Sequence, residues 1–234
     1  MKAIFKKEFK NYFLSPVGYV FVGVFMALAA MFFASGILST QRADISLMFS
    51  DINVVYLFLA SLLTMRLIAE EKNKKTDQLL LSSPVSITEI VLGKYFAAMA
   101  VFMVTMLLSF VFPIIMFVFG NPSISEIIGS YIGFILLWGA FIAIGVFISS
   151  LTESQMIAGV ATFAGLLLIY FINWFKMSVK SALLQKVIGW FSLLDRYGEF
   201  QSGILNFENV IYYLSFIFIF LFFTIRVIDK RRYS

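Results

Sequence analysis

Six stretches of this chain contain no Asp, Glu, Lys or Arg: Asn11 to Gln41, Ile52 to Met65, Tyr95 to Ser125, Ile127 to Thr152, Ser154 to Phe175 and Asn209 to Ile225. A helix that crosses a bilayer needs roughly 17–25 predominantly apolar residues, and five of the six stretches reach that length. The second stops after 14 residues at Arg66. An arginine near a helix end can carry its charge out to the headgroups, so this helix is expected to run on toward Ala69 and to count as a span. Composition agrees, with 61% of residues apolar and 13% charged, against about 25% charged in a soluble domain. A soluble fold of this length could not hide so much apolar surface. The expected class is all-α: a polytopic protein of six transmembrane helices forming one membrane domain over residues 1–234.

The chain has no Cys and no His. A thiolate nucleophile, an imidazole base and the usual zinc and haem ligands are therefore excluded. The net charge of +5 arises from Lys and Arg clustered beside the apolar runs, a pattern that orients a membrane protein and does not suggest nucleic acid. Arg42, Lys176, Lys180, Lys186 and Arg196 fall on one side of the six-span topology, and the other thirteen basic residues on the opposite side. The positive-inside rule then places both termini in the cytoplasm. The N-terminal run continues to Leu38, past the cleavage-site-like Ala27-Leu28-Ala29, which favours a retained helix over a signal peptide.

Two further segments read as helices lying along the membrane surface. Over Met1 to Phe13, Phe5, Phe9, Tyr12 and Phe13 share one face while Lys6, Lys7 and Lys10 share another. Ser15-Pro16 ends this helix. Over Leu183 to Leu194, the residues Leu183, Leu184, Val187, Phe191 and Leu194 oppose Gln185, Lys186, Gly189 and Ser192, so this helix would lie on the outer surface or dip back into it. In span four, Gly129, Gly133, Gly139 and Gly145 allow close packing, and Pro113 in span three allows bending.

Catalytic motifs are missing. Gly93-Lys94 is followed by Tyr95 and lacks the upstream glycine of a P-loop, and neither G-x-S-x-G nor H-E-x-x-H is present. No acid or lysine lies in the middle of a span, which removes the carboxylates on which ion-coupled carriers depend. The informative stretch joins spans two and three. Charged residues from Arg66 to Lys75 end the span, Thr76 can cap a short helix, Leu79, Leu80 and Leu81 form an apolar knob, and Pro84 stops it.

This loop, with its Glu70-Glu71, Thr76, leucine cluster, Ser83-Pro84-Val85-Ser86 and Glu89-Ile90-Val91-Leu92-Gly93-Lys94, resembles that of permeases of type-2 ATP-binding-cassette (ABC-2) exporters. Phe5-Lys6-Lys7-Glu8-Phe9 with Ser15-Pro16, the Ser150-to-Gln155 turn and Gly203-Ile204-Leu205 are similar to further family features. The resemblance covers the whole chain and looks closest to the gliding-motility-type permease subunit. It implies a permease that is not itself an enzyme and that pairs with a second permease, identical or homologous, and with two separate ATPase subunits in the plasma (inner) membrane of a bacterium. ATP and Mg would sit on the ATPases, and this chain would bind no cofactor. Glu70 and Glu71 would stand at the base of a coupling helix, with Thr76, Asp77, Gln78, Leu79, Leu80 and Leu81 as the segment that docks on an ATPase. The sequence departs from the family pattern at Lys75, where relatives often have Gly. Two other functions fit a membrane chain: an ion- or proton-coupled carrier, or a structural or regulatory subunit that moves nothing. Missing intramembrane carboxylates weigh against the first, and the leucine knob against the second.

Overall fold

The computed structural model describes residues 1–38, 45, 48–49, 53–78, 85–178, 189 and 192–232. Among them the secondary structure is entirely helical: α1 Lys2–Leu14, α2 Pro16–Phe32, α3 Asn53–Thr64, α4 Ala69–Asn73, α5 Ile87–Ser109, α6 Val111–Phe119, α7 Ile124–Leu151, α8 Gln155–Ser178, α9 Leu193–Gln201 and α10 Phe207–Arg232. α2 continues into a π-helical turn, Phe33–Leu38. Five helical stretches are long and apolar enough to cross a membrane: Pro16–Ile37, Ile87–Phe119, Ile124–Leu151, Gln155–Ile172 and Phe207–Arg231.

The second expected span differs. α3 has 12 residues, about 18 Å of helix against a hydrocarbon core of about 30 Å. It does not run on to Ala69. Thr64 turns its hydroxyl back to the Ala60 carbonyl (2.9 Å), and Ser149 of α7 takes the amide protons of Ile68 and Ala69 at 3.2 and 3.1 Å. A hydroxyl that captures these donors diverts them from the helical ladder, so the chain turns at residues 65–68 and restarts as α4.

Local chemistry sets the other boundaries. Ser15 is extended at φ −97°, ψ 156°, as a residue before proline must be. It therefore ends α1 and starts α2 with Pro16 at the first helical position. Ser86 accepts the Glu89 amide at 3.2 Å, half of an S-x-x-E capping box. Between α5 and α6, Pro113 cannot donate to the Ser109 carbonyl. The chain breaks at Phe110, and the Tyr131 hydroxyl donates to the freed carbonyl at 3.0 Å.

α7 is the central column, packed by α3, α5, α8, α9 and α10. Its glycines lie at close approaches. A Cβ at Gly133 would come within 2.5 Å of Phe200 Cβ, and one at Gly145 would overlap the Thr64 side chain. Around α7 runs a buried aromatic core in which Trp138 stacks on Phe102 at 4.5 Å and Phe25 on Tyr56 at 4.7 Å. At the opposite end from α4, Arg196 donates to Asn209 (2.9 Å) and Asn209 to Glu199 (2.6 Å), tying α9 to α10. The outer helix expected over Leu183 to Leu194 falls mostly outside the described residues. Of its polar face, Ser192 is buried as the N-cap of α9, accepting from the Asp195 amide at 3.2 Å.

Candidate functional site

α1 lies against α5, and the faces it presents were only partly legible. Tyr12 and Glu8 are buried. The Tyr12 hydroxyl donates to the Leu63 carbonyl at 2.6 Å. Tyr12 therefore leaves the expected aromatic face for the seam, while Phe5, Phe9 and Phe13 form a half-buried ladder beside it with ring centres 5.9 and 5.1 Å apart. Lys6 and Lys10 are exposed. Lys7 reaches the other way, toward the loop after α3.

That loop is anchored by an ion cluster. Lys94, 1% exposed in the second turn of α5, contacts Glu71 Oε2 at 2.8 Å, Glu8 Oε1 at 3.1 Å and the Leu67 carbonyl at 2.6 Å. Three acceptors match the three protons of an ammonium, which is what an ion needs to be tolerated away from water. Lys7 adds a contact to Glu71 at 3.1 Å. Glu70 is held by Arg66 Nε at 2.8 Å and Lys74 Nζ at 2.7 Å, and Arg66 also donates to Ser15 Oγ at 3.1 Å. Burial pushes both carboxyls up, but the opposing charges outweigh it. Lys94 and Lys7 hold Glu71, and Arg66 and Lys74 hold Glu70, below the usual carboxylate range. Burial pulls the Lys7 ammonium down, and Glu71 with Glu8 more than restores it, leaving its pKa raised.

α4 ends in a Schellman turn, with the Lys75 amide on the Lys72 carbonyl (3.1 Å) and the Thr76 amide on the Glu71 carbonyl (2.9 Å). Lys75 occupies the left-handed region at φ +55°. This is the position where the family pattern often has Gly, and the geometry explains that choice. Thr76 and Gln78 are exposed, and Asp77 meets Arg231 at the end of α10 (3.5 Å), which also pairs with Glu153. Lys72 is buried with its ammonium on the Ser150 carbonyl. Burial, helped by Arg231, lowers its pKa. Leu79, Leu80 and Leu81 lie outside the described residues. Between α1 and the loop opens a cleft of about 420 Å³ lined by Lys7, Glu8, Tyr12, Arg66, Glu70 and Lys74.

Of the residues singled out from the sequence, Glu70, Glu71 and Lys7 are brought together here. Phe5, Phe9 and Phe13 lie on another face of α1, while Thr76, Asp77 and Gln78 project beyond the cluster. Sequence reasoning missed Glu8 and counted Lys94 as a loop cation. The available signal was that Glu8 sits four residues before Tyr12, on the side of α1 away from Lys6 and Lys10. Among the described residues no group of His, Cys, Asp or Glu is arranged to hold a metal ion.

Fold and site together define a multi-pass helical membrane protein with a charged, rigidly seated loop at one end of its helix bundle. The chain belongs to the ABC-2 family of transporter proteins, whose family model matches residues 2–221. No curated protein matches it. Members of this family are membrane transport components, not themselves catalytic, and generally work with ABC ATPase subunits.

Proposed function

We propose that the chain is the permease subunit of an ABC exporter, that it forms the substrate pathway with a second permease, and that two ATPase subunits drive it through residues 70–81. The observation that carries this reading is the seating of α4. Glu70 and Glu71 are fixed to α1, to α5 and to Arg66, so a push delivered through residues 76–81 is passed to helices and is not absorbed by a slack loop. ATP and Mg bind on the ATPases, whose approach moves the coupling segments and tilts the spans.

In this reading α3 belongs to the second of six spans, and α1 is the amphipathic interface helix. Both termini are cytoplasmic, on the thirteen-to-five division of basic residues. The compartment is a bacterial inner membrane, and the whole of 1–234 acts as one permease domain. The gliding-motility subgroup rests on the loop and turn motifs.

The test is ATPase capture. Leu80→Asp with Leu81→Asp removes two side chains that would each contribute about 1.5–3 kcal/mol if buried in an ATPase groove. The expected result is a permease that still inserts and pairs but no longer copurifies with its ATPase. Stoichiometric ATPase in the double variant would reject this loop as the docking site.

A further inference from the structure

On the opposite flank of α1 from the ion cluster, a groove of about 750 Å³ runs between α1 and α5, and its walls are almost wholly hydrocarbon. Phe5 and Phe9 line one side, while Phe96, Met103 and Leu107 line the other. The last three are exposed in the single chain, Leu107 at 66%. Gly93 closes one end, where α1 comes so near that a Cβ would lie 3.0 Å from Ile4. From Gly93 to Leu107 the helix rises about 21 Å, enough to cover one leaflet, half of a hydrocarbon core of about 30 Å.

Charge marks the same end. Lys2, Lys6 and Lys10 repeat every fourth residue and form an exposed stripe next to Phe5, Phe9 and Phe13, and Lys2 itself lines the groove. Lys7, a quarter-turn away, is consumed by Glu71 and Glu8. Among the described residues, Lys2, Lys6 and Lys10 have no acidic partner. An apolar slot one leaflet deep, with the unpaired Lys2 in its wall and Lys6 one turn further along the same exposed stripe of α1, has the chemistry of one ligand.

We propose that this groove binds a single anionic phospholipid, with an acyl chain between α1 and α5 and the phosphate held by Lys2 and Lys6. The site goes beyond the permease reading and requires only that the chain lie in a bilayer.

Native mass spectrometry of the full detergent-purified chain, titrated with phosphatidylglycerol or with phosphatidylcholine of identical acyl chains, tests it. One phosphatidylglycerol should be retained in preference to phosphatidylcholine, and the preference should shrink with added salt. Lys2→Gln and Lys6→Gln should each weaken phosphatidylglycerol retention about fivefold, the scale of one lysine at an anionic surface. Ala100→Trp, or the smaller Ala100→Leu, should block the slot and lower retention of the lipid with all lysines intact. Equal retention of the two lipids, or an undiminished preference in the Lys2→Gln, Lys6→Gln double variant, would overturn the proposal. So would Ala100→Trp that dissociates a dimer while leaving the lipid count unchanged, since the groove would then seat a second copy. None of these readings involves an ATPase, so failure here and failure of the permease reading are separable.

Discussion

Lys94 is the residue on which most of the site turns. It is an ion shut away from water, and its three contacts balance the cost of putting it there. Lys94→Met leaves Glu8 and Glu71 with only the half-exposed Lys7 beside them, and removing the buried partner of such a cluster costs about 3–5 kcal/mol. The thermal midpoint of the purified chain should drop sharply, and much of the loss should return when Glu8→Gln and Glu71→Gln are added, because the stranded charges go with them. Acid should act on the same cluster. Glu70 and Glu71 titrate below their ordinary value, so their contribution is complete above about pH 4.3 and is lost as pH falls through their lowered values. A flat midpoint from pH 5 to 8 and a decline below about pH 4 is the expected profile, with a shallower decline in Glu71→Gln. Lys75 makes a smaller and opposite case. An L-residue at φ +55° is strained, so Lys75→Gly should raise the midpoint by a degree or two. The sequence showed Glu70 and Glu71 as a pair and Lys75 as a departure. It could not show that Glu8 and Lys94, 86 positions apart, share one proton-rich contact, because each is also unremarkable on a charged surface.

Helix positions were legible wherever apolar length decided them, and less so where hydroxyls intervene. The five long helices follow the charge-free stretches, with α5 starting at Ile87, earlier than expected, because Ser86 caps it and lets Lys94 ride inside the helix. α3 shows the limit: Ser149 captures backbone donors that a hydropathy reading assumes are helical, while the Thr64 hydroxyl donates back to the Ala60 carbonyl. Pro113 was read as a bend, and the bend is held open by Tyr131, whose hydroxyl takes the carbonyl that the proline abandons. Tyr131→Phe should therefore cost about 1–2 kcal/mol. In Pro113→Ala the amide at 113 can return to Ser109, so the tyrosine should matter less. A double-mutant cycle on thermal stability should give a coupling energy well above zero, and additive effects would contradict the pairing.

For the whole molecule, the proposed orientation rests on charge alone, and it can be checked in a chain with no native cysteine. Lys74→Cys and Lys180→Cys should be labelled from opposite sides of the membrane, with Lys74→Cys protected from a membrane-impermeant reagent in intact cells. What charge could not show is how α1 is attached, since nothing in an amphipathic repeat says which helix will receive it. The buried contact between Glu8 and Lys94 has a consequence for biogenesis. Synthesis proceeds at about 5–20 residues per second, so roughly 4–17 s pass between the appearance of the acid and that of its partner. During that interval α1 lacks its seat against α5 and has only α2 and α3 to rest on, so Phe5 and Phe9 must be sheltered by lipid or by an insertion factor. α1 can reach its final place only after α5, made later, has entered the membrane.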